Sequence, residues 1–288
     1  MARVAVLGMG TMGSRLARSL VAGGHAVSVW SRSGVPADLL ADETGPVGWA
    51  VADTPAQAAT GAEVVLVVVR DDVASQAVWS GASGAFAAMT PGALAVDCST
   101  LTVERSDAFV AEARTRGLAA VVAPLVGSKP QAEAGALTFL VGGEADDRAR
   151  AVALLAPVGA SAREVGNPAD AAVLKLAINA SLAVQTALMA ELDAALAARL
   201  SPGSPGFEAV RDLPVFSPAA LGMLARMRAG QDAPNFTVAL MAKDLDYFLG
   251  LVDSGDAPTV ERAREIYLDA ARRGLGARDL SAVRQLRQ

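Results

Sequence analysis

Residues 4–13 read Val4-Ala5-Val6-Leu7-Gly8-Met9-Gly10-Thr11-Met12-Gly13. A short apolar run with β-branched residues gives way to G-x-G-x-x-G, and Met12 to Ala22 then takes up helical periodicity. Each glycine in such a hexamer has its own duty. The first permits a tight turn, the second lets backbone approach a pyrophosphate, and the third allows a helix to pack closely on a strand, while the helix N-terminus offers unpaired N–H groups and the positive end of its dipole. The hexamer alone is a weak signal. Here a strand precedes it, a helix follows and a second strand, Ala26 to Trp30, completes the unit, so the context predicts dinucleotide binding by Gly8, Met9, Gly10, Thr11, Met12 and Gly13.

The end of the second strand chooses between the two nicotinamide dinucleotides. An NAD-preferring site places an acid there for the ribose 2′-hydroxyl. This chain has Trp30-Ser31-Arg32-Ser33, and its first carboxylate after the strand is Asp38. Arg32 can pair with a 2′-phosphate, and Ser31 and Ser33 can donate hydrogen bonds to it. The expected cofactor is therefore NADP, with NADPH preferred over NADH; the alternative is that Arg32 is a solvated surface arginine. His25, just ahead of the strand, reads as part of a turn.

Outward from this unit, Val64 to Val69, Leu94 to Val96, Ala119 to Val122 and Thr138 to Val141 read as further strands. Pro55 to Ala59, Ser75 to Ala77, Val103 to Arg116 and Asp146 to Ala156 read as helices between them, a βαβ rhythm that buries a parallel sheet. After Gly166 the rhythm stops. Ala169 to Leu200 runs for about eight helical turns without internal Pro or Gly, and Ser201 to Gly206 breaks the chain. Helices are expected over Pro218 to Ala229, Phe236 to Leu251 and Thr259 to Arg273, with Gly274 as a C-cap. The fold class is α/β: a Rossmann-type doubly wound parallel sheet, then a long interdomain helix and an all-α C-terminal domain. Residues 1–164 are expected to bind the dinucleotide, and 165–288 to supply substrate contacts and a dimer interface.

Composition narrows the function classes. The 288 residues are 52% hydrophobic and 19% charged, too apolar for disorder, and the excess predicts a homodimer. A net charge of −5 supplies no basic field for nucleic acid. One cysteine, Cys98, and one histidine, His25, exclude an intrachain disulfide and a Cys- or His-rich metal site, so no metal is expected. No stretch approaches ~18 consecutive apolar residues, and the N-terminus lacks an uninterrupted apolar segment. The expectation is a cytoplasmic protein without membrane or nucleic-acid partners.

The phosphate loop and four later segments together resemble the β-hydroxyacid dehydrogenase family, which includes 3-hydroxyisobutyrate dehydrogenases, tartronate semialdehyde reductases and glyoxylate/succinic semialdehyde reductases. Asp97-Cys98-Ser99-Thr100 is similar to its D-x-S-T segment, Lys175 to Asn179 matches K-x-x-x-N, and Lys243-Asp244-Leu245 matches K-D-L. Gly127-Ser128-Lys129-Pro130-Gln131-Ala132-Glu133-Ala134-Gly135 most resembles the G-S-K-K-P-A-E-D-G stretch of the glyoxylate/succinic semialdehyde branch. The likeness covers essentially the whole chain. It implies that Thr100 lies near the nicotinamide, that Val69 and Arg70 touch the cofactor, and that Lys175 is the general acid or base.

Chemistry supports the last role. Reduction of a carbonyl by hydride builds negative charge on oxygen, which calls for a proton donor within hydrogen-bond reach, and a lysine in a water-poor cleft can serve. Lys175 and Asn179 are i and i+4, so a helix presents both from one face. Lys243, a cation within an apolar helix, is expected to touch substrate or cofactor; its alternative is an ion pair with Asp244 or Asp246. One position departs from the family. Its P-V-S-G stretch, whose serine helps hold the substrate carboxylate, falls on Pro124-Leu125-Val126-Gly127, so Val126 replaces a hydroxyl, and Ser128 or backbone N–H groups would have to compensate. Val126, Gly127 and Ser128 thus join Lys175, Asn179 and Lys243 as expected substrate contacts. The leading expectation is an NADPH-dependent reductase of a small aldehyde or keto acid. The alternatives are an NADPH-dependent imine reductase, which Val126 makes thinkable, and a catalytically silent cofactor-binding module, against which Lys175, Asn179 and Lys243 weigh.

Overall fold

A computed structural model describes residues 1–35, 41–42, 45–46 and 48–287. Asp38 lies outside the described residues. The chain forms two compact units, Met1–Lys175 and Leu176–Gln288.

Strands β1 (Arg3–Leu7), β2 (Ala26–Trp30), β3 (Ala41–Asp42), β4 (Gly45–Pro46), β5 (Trp49–Val51), β6 (Val64–Val67), β7 (Leu94–Asp97), β8 (Ala119–Val122), β9 (Leu125–Val126), β10 (Leu137–Gly143) and β11 (Gly159–Gly166) all belong to the first unit. Its helices are α1 (Gly13–Ala22), α2 (Pro55–Ala59), α3 (Asp72–Ser80), α4 (Val103–Arg114), α5 (Lys129–Glu133) and α6 (Ala145–Leu155). The main sheet runs β11-β10-β8-β7-β6-β1-β2-β5, with β9 paired to β10 and the β3–β4 pair separate.

From β5 to β8 every pairing is parallel. Strict alternation of side chains then dictates the two layers. Val4, Val6, Leu66 and Val96 face one core with Leu16, Leu20, Leu154 and Leu155 of α1 and α6. Ala5, Leu7, Val65, Val67 and Ala95 face the other, with Trp79, Phe109 and Ala113 of α3 and α4. Burial on both faces is why these strands read as continuous apolar runs.

Two departures from the sequence expectation concern the sheet. It is not wholly parallel, because β10 runs antiparallel to β8 and to β9. The connection between β9 and β10, residues 127–136 with α5 inside it, is shorter than the ~12 or more residues a parallel crossover takes, and β10 returns antiparallel to β9. The strand expected over Val64 to Val69 stops at Val67, because beyond Val68, whose N–H still reaches the Leu7 carbonyl, the Val69 N–H is taken by the Ser99 hydroxyl at 2.9 Å. The helix expected over Ser75 to Ala77 begins three residues earlier, capped by the Asp71 carboxylate on the Ala74 N–H.

Helix α7 (Pro168–Ala197) starts in the first unit and continues into the second, which adds α8 (Pro218–Arg228), α9 (Val238–Leu249) and α10 (Pro258–Ala270). Its most apolar 18-residue window has a mean hydropathy of 1.5, long and apolar enough to cross a bilayer, but half of that window is buried within the protein. In the second unit Ala180, Ala183, Ala187 and Ala190 of α7 repeat at three- and four-residue spacing and pack with Met241 and Leu245 of α9 and Ile266 and Tyr267 of α10. Two buried carboxylates tie this unit together. Asp193 accepts from Arg228 and Arg284, both at 2.9 Å, and Asp279 accepts from Arg226 and from the Asn235 N–H. Gly274, the expected C-cap, has φ +84° inside a π-turn over Ala271–Leu275 that follows α10.

Candidate active site

In an open parallel sheet the crevice lies at the carboxyl ends of the strands, where connections leave for opposite faces. Here that point falls between β1 and β6. Gly8 follows β1 with φ +104°, and a Cβ on it would lie 2.2 Å from the Val68 carbonyl oxygen. A Cβ on Gly13 would lie 1.9 Å from the Gly8 carbonyl oxygen, so the first and third glycines are required by packing within the protein itself. Gly10 differs: it is exposed, and a Cβ there would meet nothing within 4 Å. Space is kept open above it. Among the described residues, the N–H groups of Thr11, Met12 and Gly13 find no acceptor, which leaves donors at the start of α1 for an anion. The donor set, the positive φ and the open face over Gly10 fit a dinucleotide pyrophosphate.

The other residues expected at the cofactor lie along the same carboxyl edge. Ser31, half-buried, and Arg32 and Ser33, both exposed, leave β2 directly. Val69 and Arg70 leave β6, and the Arg70 guanidinium pairs with Asp71 at 2.9 Å. Thr100, half-buried, leaves β7.

The segment before Thr100 is held by an acid whose part the sequence did not disclose. Asp97 is fully buried and accepts three hydrogen bonds: from the Ser75 hydroxyl at 2.7 Å, the Trp79 indole at 2.8 Å and the Ser99 N–H at 2.9 Å. Ser99, so oriented, accepts the Val69 N–H on its hydroxyl oxygen. One carboxylate thereby fixes the loops after β6 and β7 together. Between Asp97 and Ser99, Cys98 is buried, and burial, with the Asp97 charge added, pushes its thiol well above the usual range. It is no nucleophile.

Val126 is half-buried in β9, paired with Thr138, and Gly127 follows with φ +129°. Ser128 does not stand free to replace the family hydroxyl, because its own hydroxyl donates to Gln131 Oε1 at 2.7 Å and its N–H to the same oxygen at 3.0 Å. The compensation expected of it is already committed to starting α5.

Lys175 and Asn179 lie one turn apart on α7, 7% and 2% exposed. In the second unit Asn179 Nδ2 donates to Asp244 Oδ2 at 2.5 Å, and Lys243 Nζ pairs with Asp244 Oδ1 at 2.8 Å while lying 4.4 Å over the Tyr247 ring. Asp244 therefore holds two expected site residues at once, and the ion pair left open by the sequence is present. Among the described residues no group of three His, Cys, Asp or Glu side chains is placed to hold a metal.

These features have close counterparts. The NAD binding domain of 6-phosphogluconate dehydrogenase, as a family, matches residues 3–166. A 3-hydroxyisobutyrate dehydrogenase of Pseudomonas aeruginosa is 30% identical, over 99% of this chain and 98% of its own length. The chain belongs to the β-hydroxyacid dehydrogenase family. An NAD-dependent L-serine dehydrogenase of the same organism is 29% identical over 99% of this chain and 98% of its own. Among solved structures, a Mycobacterium tuberculosis 3-hydroxyisobutyrate dehydrogenase with L-serine superposes with a TM-score of 0.85 at 27% identity, covering 99% of both chains. The protein is an oxidoreductase of this family, and its first unit carries a nicotinamide-dinucleotide binding domain.

Proposed function

We propose that the protein reduces a small aldehyde or keto acid to the corresponding hydroxy acid with NADPH, and that Lys175 is the general acid. The observation that carries this reading is the burial of Lys175 and Asn179 on one face of α7, the residue types and spacing that the chemistry asks for. Reduced nicotinamide supplies a hydride to the carbonyl carbon. The oxygen gains the electron pair of the broken π bond, and Lys175 Nζ delivers a proton to it, leaving a neutral amine that takes its proton back from water. Asn179, its amide fixed by Asp244, orients the substrate beside that lysine. Residues 1–164 serve the dinucleotide, with Ser31, Arg32, Ser33, Val69, Arg70 and Thr100 as contacts, and 165–288 serve substrate and dimerisation, with Lys243 among the contacts. Val126, Gly127 and Ser128 line the substrate side.

Arg32 favours NADPH. It is exposed at the end of β2, and no carboxylate stands between Ser31 and Val35. Apolar side chains left exposed on the second unit, Leu188 at 49% and Val215 at 74%, support a homodimer. A free, buried Cys98 suits a reducing cytoplasm.

The test is NADPH oxidation over panels of carboxylate aldehydes, neutral aldehydes and cyclic imines, with Lys175→Met beside the parent. General acid catalysis contributes ~10²- to 10⁴-fold, so kcat should fall by that factor while the dissociation constant for NADPH holds. Turnover of the variant within a few-fold of the parent on its best substrate would assign the proton to another group, and activity confined to the imine panel would replace the carbonyl.

A further inference from the structure

The loop over residues 8–13 is braced from outside. Arg15, on the first turn of α1, sends Nη1 to the Thr11 carbonyl oxygen at 2.6 Å, and directs Nε and Nη2 to one oxygen of Glu133 at 3.1 and 2.6 Å. Glu133 is the last residue of α5, and Lys129, at the start of the same helix, stands 4.0 Å from the same oxygen. The Arg15 side chain is 21% exposed and Glu133 51%. By itself a half-exposed ion pair is worth little. What sets this one apart is the third hydrogen bond, to a carbonyl inside the phosphate loop.

In a trans peptide the C=O and N–H point in opposite directions. Holding the Thr11 oxygen towards the body of α1 therefore turns the N–H of the same peptide, that of Met12, away from the helix. That N–H is among the donors that find no acceptor among the described residues, and it sits beside the open face of Gly10. The neighbouring carbonyls are also held from within α1: that of Gly10 by the Ser14 N–H and hydroxyl, and that of Met12 by the N–H groups of Arg15 and Leu16. Among the described residues Thr11 is the member of the series whose carbonyl is held by a side chain without a main-chain N–H beside it, and that side chain is aimed by Glu133. The Glu133 carboxyl is held below the usual carboxylate range, chiefly by the hydrogen bond from Arg15 working against some desolvation, with the charges of Arg15 and Lys129 behind it, so it stays an acceptor through neutral pH.

We propose that Arg15 and Glu133 are positioning residues for the dinucleotide: Glu133 fixes the Arg15 guanidinium, Arg15 fixes the Thr11–Met12 peptide, and that peptide presents its N–H to the pyrophosphate. The order of action is one-way. Glu133 works only through Arg15, so its removal should cost nothing once Arg15 is gone. The proposal rests on the dinucleotide reading of the loop.

The experiment is fluorescence or calorimetric titration of the full chain with NADPH and with NADH, read as dissociation constants, with thermal midpoints of the unliganded proteins alongside. Arg15→Ala should raise the dissociation constant of the preferred cofactor by about five- to tenfold, the scale of one charge-assisted hydrogen bond at a part-exposed position. Glu133→Ala should raise it by about three- to fivefold, Glu133→Gln, which keeps an acceptor oxygen, should recover most of that loss, and the double variant Arg15→Ala/Glu133→Ala should match Arg15→Ala within twofold. An ordinary surface ion pair would move only the thermal midpoint. Dissociation constants within twofold of the parent in Arg15→Ala would overturn the proposal, as would losses that multiply in the double variant. A parent protein that binds neither dinucleotide would overturn instead the reading on which it rests.

Discussion

Replacing Asp97 by alanine tests whether one buried acid holds the cofactor-side loops. Three donors converge on this carboxylate at 2.7 to 2.9 Å, and none has water to fall back on, since Asp97, Ser75 and Trp79 are each 0% exposed and Ser99 is 3% exposed. The Ser75 hydroxyl can rotate to another acceptor. The Trp79 indole cannot, because its ring is packed against both Phe86 and Phe109, each centroid 4.9 Å away in a three-ring cluster, and the Ser99 N–H is main chain. Two stranded donors at ~1–3 kcal/mol each set the loss at about 2–6 kcal/mol. For a unit of this size 1 kcal/mol moves the melting midpoint by roughly 2–4 °C, so Asp97→Ala should melt about 4–24 °C lower. Asp97→Asn retains one acceptor for Ser99 but turns an N–H₂ towards the indole, so it should lose less than alanine and more than nothing. The second readout is functional: with Ser99 released, the Val69 N–H loses its partner and the Michaelis constant for NADPH should rise. Urea and thermal unfolding of the three proteins, with cofactor titrations, decide the matter. A midpoint for Asp97→Ala within 2 °C of the parent would refute the role assigned to this carboxylate.

Three further expectations are checked by simpler measurements. Arg32→Asp should cut discrimination in favour of NADPH over NADH by about 10- to 100-fold, read from paired kcat/KM values; unchanged selectivity would remove Arg32 from the cofactor site. Glu112 lies partly buried, where desolvation works to raise its carboxyl, but hydrogen bonds from Ser80 and Arg105 and the charges of Arg105 and Arg116 together hold it below the ordinary value of 4.5. Its contribution is therefore present above about pH 4.5 and lost as pH falls below the folded-state value, and Glu112→Ala, which strands the buried Arg105, should cost about 1–3 kcal/mol at pH 7 and flatten that acid arm of the stability curve. Light scattering at micromolar concentration should give the mass of a dimer, and a mass near 29 kDa would count against the pairing.

Why some of this was legible in the sequence and some was not follows from how far each signal reaches along the chain. The doubly wound core was readable because Val4 to Leu7, Val64 to Val67 and Leu94 to Val96 are buried on both faces and so are apolar at every position. Strand β11 was not, since Gly159–Gly166 pairs only at the sheet edge and carries exposed polar residues, and β9 and α5 are too short to show a period. The glycines of the phosphate loop declared themselves by spacing, because their constraints lie within six residues. The supports of that loop did not: Arg15 meets a carboxylate 118 residues away, and Asp97 meets Ser75 and Trp79 across 22 and 18. A lone arginine on a helix and a lone aspartate at a strand end look like solvated surface until the partners are folded against them. The one local clue was in Asp97-Cys98-Ser99, where an acid ending a buried strand has no water to face and must find donors, the first of them two residues on. Ser128 carries the same lesson in reverse. Its position beside Val126 made it the natural substitute for the family serine, yet Gln131, three residues ahead in the same segment, had already claimed its proton. Under the proposed function, Val126 methyls and a hydroxyl already given to Gln131 leave these two side chains with no donor to offer a substrate carboxylate, which makes the neutral-aldehyde panel as informative as the acidic one.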